Sequence, residues 1–154
     1  MSTRKATGWT MANSVSELAA ESMAYFPHDS NASADIKCQR LIMRNGWDGY
    51  GRWWRLCEHL AAAKGHAVPF ATDEDKLILG GVLGFGGSDF EALMTIEETS
   101  GFIHGLLDLG LLVEDENGLL FSPRMVENSL YFGRQRANGR KGGRPKKSVK
   151  TADE

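Results

Sequence analysis

LLVEDENGLLFS (111–122) decides how this chain is read. Two β-prone arms flank Asn117-Gly118, a pair that accepts the positive φ angles of a tight hairpin turn. A hairpin is therefore predicted, and both of its neighbours read as helices. Upstream, Thr95 and Glu98 spell a capping box. Ile96, Phe102, Ile103, Leu106, Leu107 and Leu109 then form an apolar stripe that ends at Gly110. Downstream, Ser122 caps a helix with Pro123 at its favoured first position. That helix is expected to run to about Arg136, before glycines dissolve it.

Further from the hairpin the elements are shorter but follow the same logic. HAVPFA (66–71) suits a short edge strand, because Pro69 cannot donate within a central one. Thr72 or Asp73 opens a helix through Lys76, Leu77, Leu79 and Val82, closed by GFGG (84–87). SDFEALM (88–94) fits a helical turn or a loop equally well. The best helical stripe is Tyr50, Trp53, Trp54, Cys57, Leu60 and Ala61, in a helix of about 49–64 that Asp48 can cap. Before it, a helix over 34–45 is stopped by Gly46 in a left-handed conformation. YFPHDSNAS (25–33) reads as a connector. Ser14 and Glu17 form a capping box for a short helix over 15–24.

Helices, one short strand, helix, turn, helix, hairpin, helix: this order predicts a mainly α protein with a small β-hairpin, a winged helix-turn-helix. The expected divisions are a leader with a short helix (1–24), a winged-helix domain (25–136) and a disordered basic tail (137–154). No run reaches the roughly 20 apolar residues of a membrane span. No signal-peptide segment follows Arg4 and Lys5, so a cytoplasmic protein is expected. Cys38 and Cys57 are too few for a disulfide framework and read as reduced core residues.

Charge is unevenly placed. Residues 134–154 hold eight Lys/Arg and two acids, so residues 1–133 keep 10 basic and 18 acidic residues. Such polarity points to a tail that contacts nucleic acid. Arg134, Arg136, Arg140, Lys141, Arg144, Lys146 and Lys147 are its candidate phosphate contacts, giving nonspecific binding that falls with salt. Gly143-Arg144-Pro145 with Lys146 and Lys147 also resembles the core of an AT-hook, which enters the A·T minor groove. Lys37, Arg40 and Arg44 form a second basic group, and with Arg52 and Arg55 they can build one basic surface. Trp9 and Trp47 could stack on bases only if exposed, and packing is the better default.

The second helix of the predicted helix-turn-helix argues against sequence readout. A reading helix presents Arg, Lys, Asn or Gln to base edges. Residues 95–109 have none of these and offer Glu97, Glu98 and Asp108; the wing tip adds Glu114, Asp115 and Glu116. These six acids are the candidate partner-binding set. Catalysis finds no constellation. Cys57 and His59 lie two positions apart on a helix and point about 200° from each other. His28, Cys38 and His104 lack metal-site spacing. GGVLGFGG (80–87) is not followed by Lys-Ser/Thr, so there is no phosphate-binding loop. Neither enzyme activity, a cofactor nor a metal is expected.

YFPHDSNASADIKCQRLIMRNGWDGYGRWWRLCEHLA (25–61) resembles the opening of the DnaD-like N-terminal domains of phage replication-initiation, or replisome-organiser, proteins. The likeness rests on Phe26-Pro27-His28-Asp29, Asp35-Ile36-Lys37 and Gly46-Trp47-Asp48-Gly49-Tyr50-Gly51. LLDLGLL, LLFSPRM and the closing GRKGGRPKK extend it over about residues 25–147. The resemblance implies a winged-helix fold, self-association into a homo-oligomer, and a role in assembling replication machinery on DNA. The expected function is thus a non-enzymatic phage or prophage protein that holds DNA through its tail and another nucleic-acid-binding protein through its acidic face. Two alternatives are an inhibitor acting by protein contact or DNA mimicry, and a small dimeric winged-helix repressor.

Overall fold

The computed structural model describes residues 15–86 and 91–142. The protein is mainly helical, with one small three-stranded antiparallel sheet. Residues 15–20 are helical, a shorter stretch than the 15–24 predicted, and the Ser14 cap lies outside the described residues. A single 3-10 turn, Ala32–Ala34, leads into α1, Ile36–Ala62. Asp35 caps α1, its carboxylate accepting from the Lys37 and Cys38 amides at 2.9 and 3.3 Å.

At Gly46 (φ 69°, ψ −172°) α1 breaks into two helical segments. This is the left-handed junction read from the sequence, where a residue with a Cβ would be strained. No loop separates the segments, and Asp48 makes no capping hydrogen bond among the described residues. The chain then passes through a 3-10 turn, Lys64–His66, into β1, Ala67–Pro69. Helix α2, Asp73–Val82, starts on a complete capping box between Thr72 and Asp75, with 3.1 Å bonds in both directions.

Helix α3, Ala92–Asp108, corrects one prediction. Thr95 does not cap it: the helix begins three residues earlier, and Thr95 is buried in its first turns. The cause lies on the opposite helix. A methyl group added at Gly80 would come within 2.5 Å of Thr99 Oγ1 and 2.8 Å of Thr95 Cγ2. Thr95 and Thr99 are therefore the face that packs onto α2, and the Thr99 hydroxyl donates back to the Thr95 carbonyl at 2.6 Å. Ser88, Asp89 and Phe90 of the ambiguous 88–94 stretch lie outside the described residues, while Ala92–Met94 are helical.

The hairpin forms where expected, with β2, Val113–Glu114, paired to β3, Leu119–Phe121. Its turn differs from the two-residue Asn-Gly form. Asp115 and Leu119 close a three-residue loop in which Gly118 alone has positive φ (73°). Asp115 imposes this, because its carboxylate accepts from the Asn117 and Leu119 amides at 2.8 and 3.0 Å. Strand β1 pairs antiparallel with the other side of β3, so Pro69 sits on an edge strand as predicted.

Helix α4, Pro123–Lys141, is capped by Ser122 Oγ, which accepts from the Met125 amide at 3.3 Å. It runs past the Arg136 terminus predicted for it, and Gly139 lies inside it. A glycine inside a helix costs only about 1 kcal/mol relative to alanine, too little by itself to end one.

The core lies between α1, the α2–α3 pair and the sheet. Leu41, Leu56 and Leu60 of α1 meet Leu79, Ile103, Leu106, Leu112 and Leu120, all at 2% exposure or less. Burying each such leucine or isoleucine contributes about 1.5–3 kcal/mol. Among the described residues, no helix is long and apolar enough to cross a membrane.

Candidate nucleic-acid interface

The basic side chains divide into those the fold engages and those it leaves free. Lys37 Nζ donates to the Gly110 carbonyl at 3.2 Å, and Arg44 pairs with Asp108 at 2.8 Å. Together they clasp the C-terminal end of α3, where carbonyl groups and a carboxylate gather negative charge. Arg52 Nε donates to the Leu83 carbonyl at 3.1 Å, and its guanidinium lies 4.5 Å from the Phe85 ring centroid. Arg55 pairs with Glu58, and Arg124 with Asp29. The single basic surface expected from Lys37, Arg40, Arg44, Arg52 and Arg55 is thus dispersed into separate contacts. Only Arg40 of that group stays unpaired among the described residues.

Arg136 is an anchor. Its guanidinium donates to the Leu18 carbonyl at 2.7 Å and the Ser22 carbonyl at 3.4 Å, with Glu21 at 3.8 Å. It therefore caps the C-terminal end of the 15–20 helix. Two further contacts hold that segment. A methyl group at Gly133 would lie 2.8 Å from Ala19 Cβ and 2.9 Å from its Cα, so α4 and the segment touch nearly backbone to backbone. His66, 1% exposed, faces Ala19 O with Nε2 at 2.8 Å and Leu60 O with Nδ1 at 3.0 Å. Neither anchor was evident in the sequence, where Arg136 counted with the tail.

Arg134 and Arg140 are exposed on α4 and make no ion pair or hydrogen bond among the described residues. Arg40 and Lys64 are likewise without an ion pair or hydrogen bond among the described residues, as is Lys76, whose ammonium lies 5.4 Å from the Phe70 ring centroid. The backbone of Lys141 belongs to α4, while Arg144, Lys146 and Lys147 lie outside the described residues, as do Pro145 and Trp9. The sequence from Asn128 to Gly142 contains no acid. Trp47, expected to pack, is 66% exposed and touches Tyr50 edge-on at 5.6 Å.

Two of the six candidate acids are engaged within the fold and four are left exposed. Glu97 and Glu98 are exposed and line a shallow depression with Asn45, Arg52 and Phe85. Asp108 is neutralised by Arg44, and Asp115 is committed to the turn. Glu114 and Glu116 remain exposed at the wing tip.

A cavity of about 190 Å³ lies between the connector, α1 and the start of α4, with Phe26, Trp53, Cys38, Cys57, Leu111 and Met125 in its wall. Both thiols are free and buried. Burial, then the neighbouring Cys38, pushes Cys57 up to about 12, and burial with Asp35 raises Cys38. Protonated thiols are poor nucleophiles. His59 is shifted down by burial and by Arg55. His28 is stacked on Trp54, 3.5 Å between centroids. Among the described residues, no group of three or more His, Cys, Asp or Glu side chains is placed to hold a metal ion.

The family model described as Lin1244/Lin1753-like, N-terminal, matches residues 25–125, about two thirds of the chain. That match takes in the connector, α1, the sheet and the first turn of α4, and leaves Arg134, Arg136 and Arg140 beyond it. No curated protein and no solved structure matches the chain.

Proposed function

The chain belongs to the Lin1244/Lin1753-like N-terminal family, and we propose that it is a non-catalytic, DNA-associated winged-helix protein. In this reading it holds DNA without reading its sequence and offers its body to a protein partner. The observation that carries the proposal is the division of cations. Those of the body are largely engaged within the fold, while Arg134 and Arg140 project unpaired from an acid-free stretch that leads into Arg144, Lys146 and Lys147.

The element order supports the winged-helix part. Helix, strand, helix, helix and hairpin follow one another, and the strand before the helix pair joins the hairpin sheet. Helix α3 then takes the place of a reading helix. It carries Glu97 and Glu98 and no Arg, Lys, Asn or Gln, which disfavours base readout through it. The resemblance to DnaD-like replication-initiation domains fits the same reading, with a phage replisome organiser as its biological setting and a second subunit or another replication protein as partner. Glu97, Glu98, Glu114 and Glu116 are the acids free to meet that partner.

The test is fluorescence anisotropy on labelled A·T-rich and G·C-rich duplexes at two salt concentrations, comparing the chain with Arg134→Glu/Arg140→Glu. Charge reversal is preferable to cutting at residue 133, which would remove the Arg136 anchor. Wild type should bind both duplexes similarly, with log K falling as log salt rises. The variant should bind more weakly and lose about two units of that slope. Equal affinity for both proteins, or no binding at low salt, defeats the proposal.

A further inference from the structure

Helix α4 carries a feature that a purely electrostatic handle does not need. Tyr131 is 58% exposed and Tyr25, from the connector, 69% exposed. Neither ring is loose. Both meet Phe132 edge-on, Tyr25 at 5.4 Å and 82°, Tyr131 at 5.6 Å and 72°. Phe132 itself packs against the core. The two tyrosines are therefore oriented in advance while more than half of each stays open, so a ligand meeting them pays little ordering entropy.

Their surroundings specify the ligand. Residues three, four and seven positions after Tyr131 share its helix face, and these are Arg134, Gln135 and Asn138, all exposed. A cleft of about 340 Å³ beside Tyr25 is lined by Met23, Phe132, Gln135 and Arg136. Open aromatic rings, a free guanidinium and two amides suit a flexible polyanion that has ring faces of its own; the nearby acids are Glu21, beside Arg136, and Glu127, one turn before Tyr131 on the side away from Arg134. An apolar peptide would leave the arginine and amides unmatched.

We propose that Tyr25 and Tyr131, with Arg134 and Gln135, form a stacking platform for single-stranded DNA. This rests on the DNA-associated reading above and adds the strand state and the residues. In a duplex, each base face is covered by its neighbour, so only unpaired bases can use the rings. Arg134 meets the backbone phosphate, and the amides accept any base edge, which leaves sequence preference weak.

The experiment compares a labelled oligothymidine strand with a labelled duplex of equal length, using the full chain and its Tyr25→Ala, Tyr131→Ala, Tyr131→Phe and Arg134→Glu variants. Thermal melts establish that each variant is folded. Each tyrosine-to-alanine change should weaken single-strand binding by about 5- to 150-fold, the range of one lost base stack, and leave duplex binding within about twofold. Tyr131→Phe should bind as wild type, because a phenyl ring still stacks. If the alanine variants bind the single strand like wild type while Arg134→Glu weakens both probes, the platform is wrong and the electrostatic reading stands. Equal loss on strand and duplex also overturns it. If wild type binds neither probe, both readings fall.

Discussion

His66 shows how much a single side chain can organise. Its ring bridges the end of α1 and the N-terminal segment, and it holds φ 53°, an angle seldom adopted outside glycine. A ring tautomer with one N–H can donate to only one of the two carbonyls it faces, so His66→Ala should leave one buried carbonyl without its donor and cost about 1–3 kcal/mol, read as a shift of the urea midpoint. Cys57 makes a second prediction. The folded chain keeps its thiol protonated up to about 12, whereas 9.0 is the ordinary value. Its contribution to stability is therefore full below about pH 9 and falls as pH rises from there towards 12. Urea midpoints measured from pH 8 to 10.5 should decline in wild type and decline less in Cys57→Ala. The placement of Cys57 was legible, since it sits on the strongest apolar stripe. That of Thr95 was not. A Thr-x-x-Glu pattern is local, and it carries no sign of Gly80 on the facing helix.

Elements were easiest to read where their boundaries are set by their own residues. Gly46, Thr72, Gly110, Ser122 and Pro123 each mark an end through backbone chemistry that acts within a few positions, and the breaks fall there. Where a partner element decides, local pattern failed: α3 begins early because its first turns are needed against α2. Gly80 gives the sharpest test at this scale. Gly80→Ala should push α2 and α3 apart and destabilise the fold by about 1–3 kcal/mol, as overpacking does, despite alanine's higher helix propensity. Adding Thr99→Ala should recover part of that loss. The two changes in a double-mutant cycle should then be plainly non-additive, because they share one contact. Additivity would mean that the helices do not meet at this point.

At the scale of the molecule, the division of charge was visible in the sequence, but its use was not. Counting residues placed Arg136 with the nucleic-acid contacts and Lys37 and Arg44 on a basic face. Only the fold shows that these three hold elements together, since their partners lie 64 to 118 positions away. The tyrosines of the proposed platform were likewise hidden, because Tyr25 and Phe132 meet across more than a hundred positions of sequence. One spacing did point there, the Tyr131-x-x-Arg134-Gln135 stripe on a helical period.

The docking of residues 15–23 has its own consequence. This segment lies outside the family match, yet Leu18, Ala19 and Met23 are as buried as the rest of the core. A chain begun at residue 25 would bare Gly133, the Arg136 guanidinium and one ring nitrogen of His66 as a surface fitted to one short helix. The two pieces are thus halves of a complementation pair, and the peptide added in trans should raise the melting temperature of the shortened chain in a saturable way.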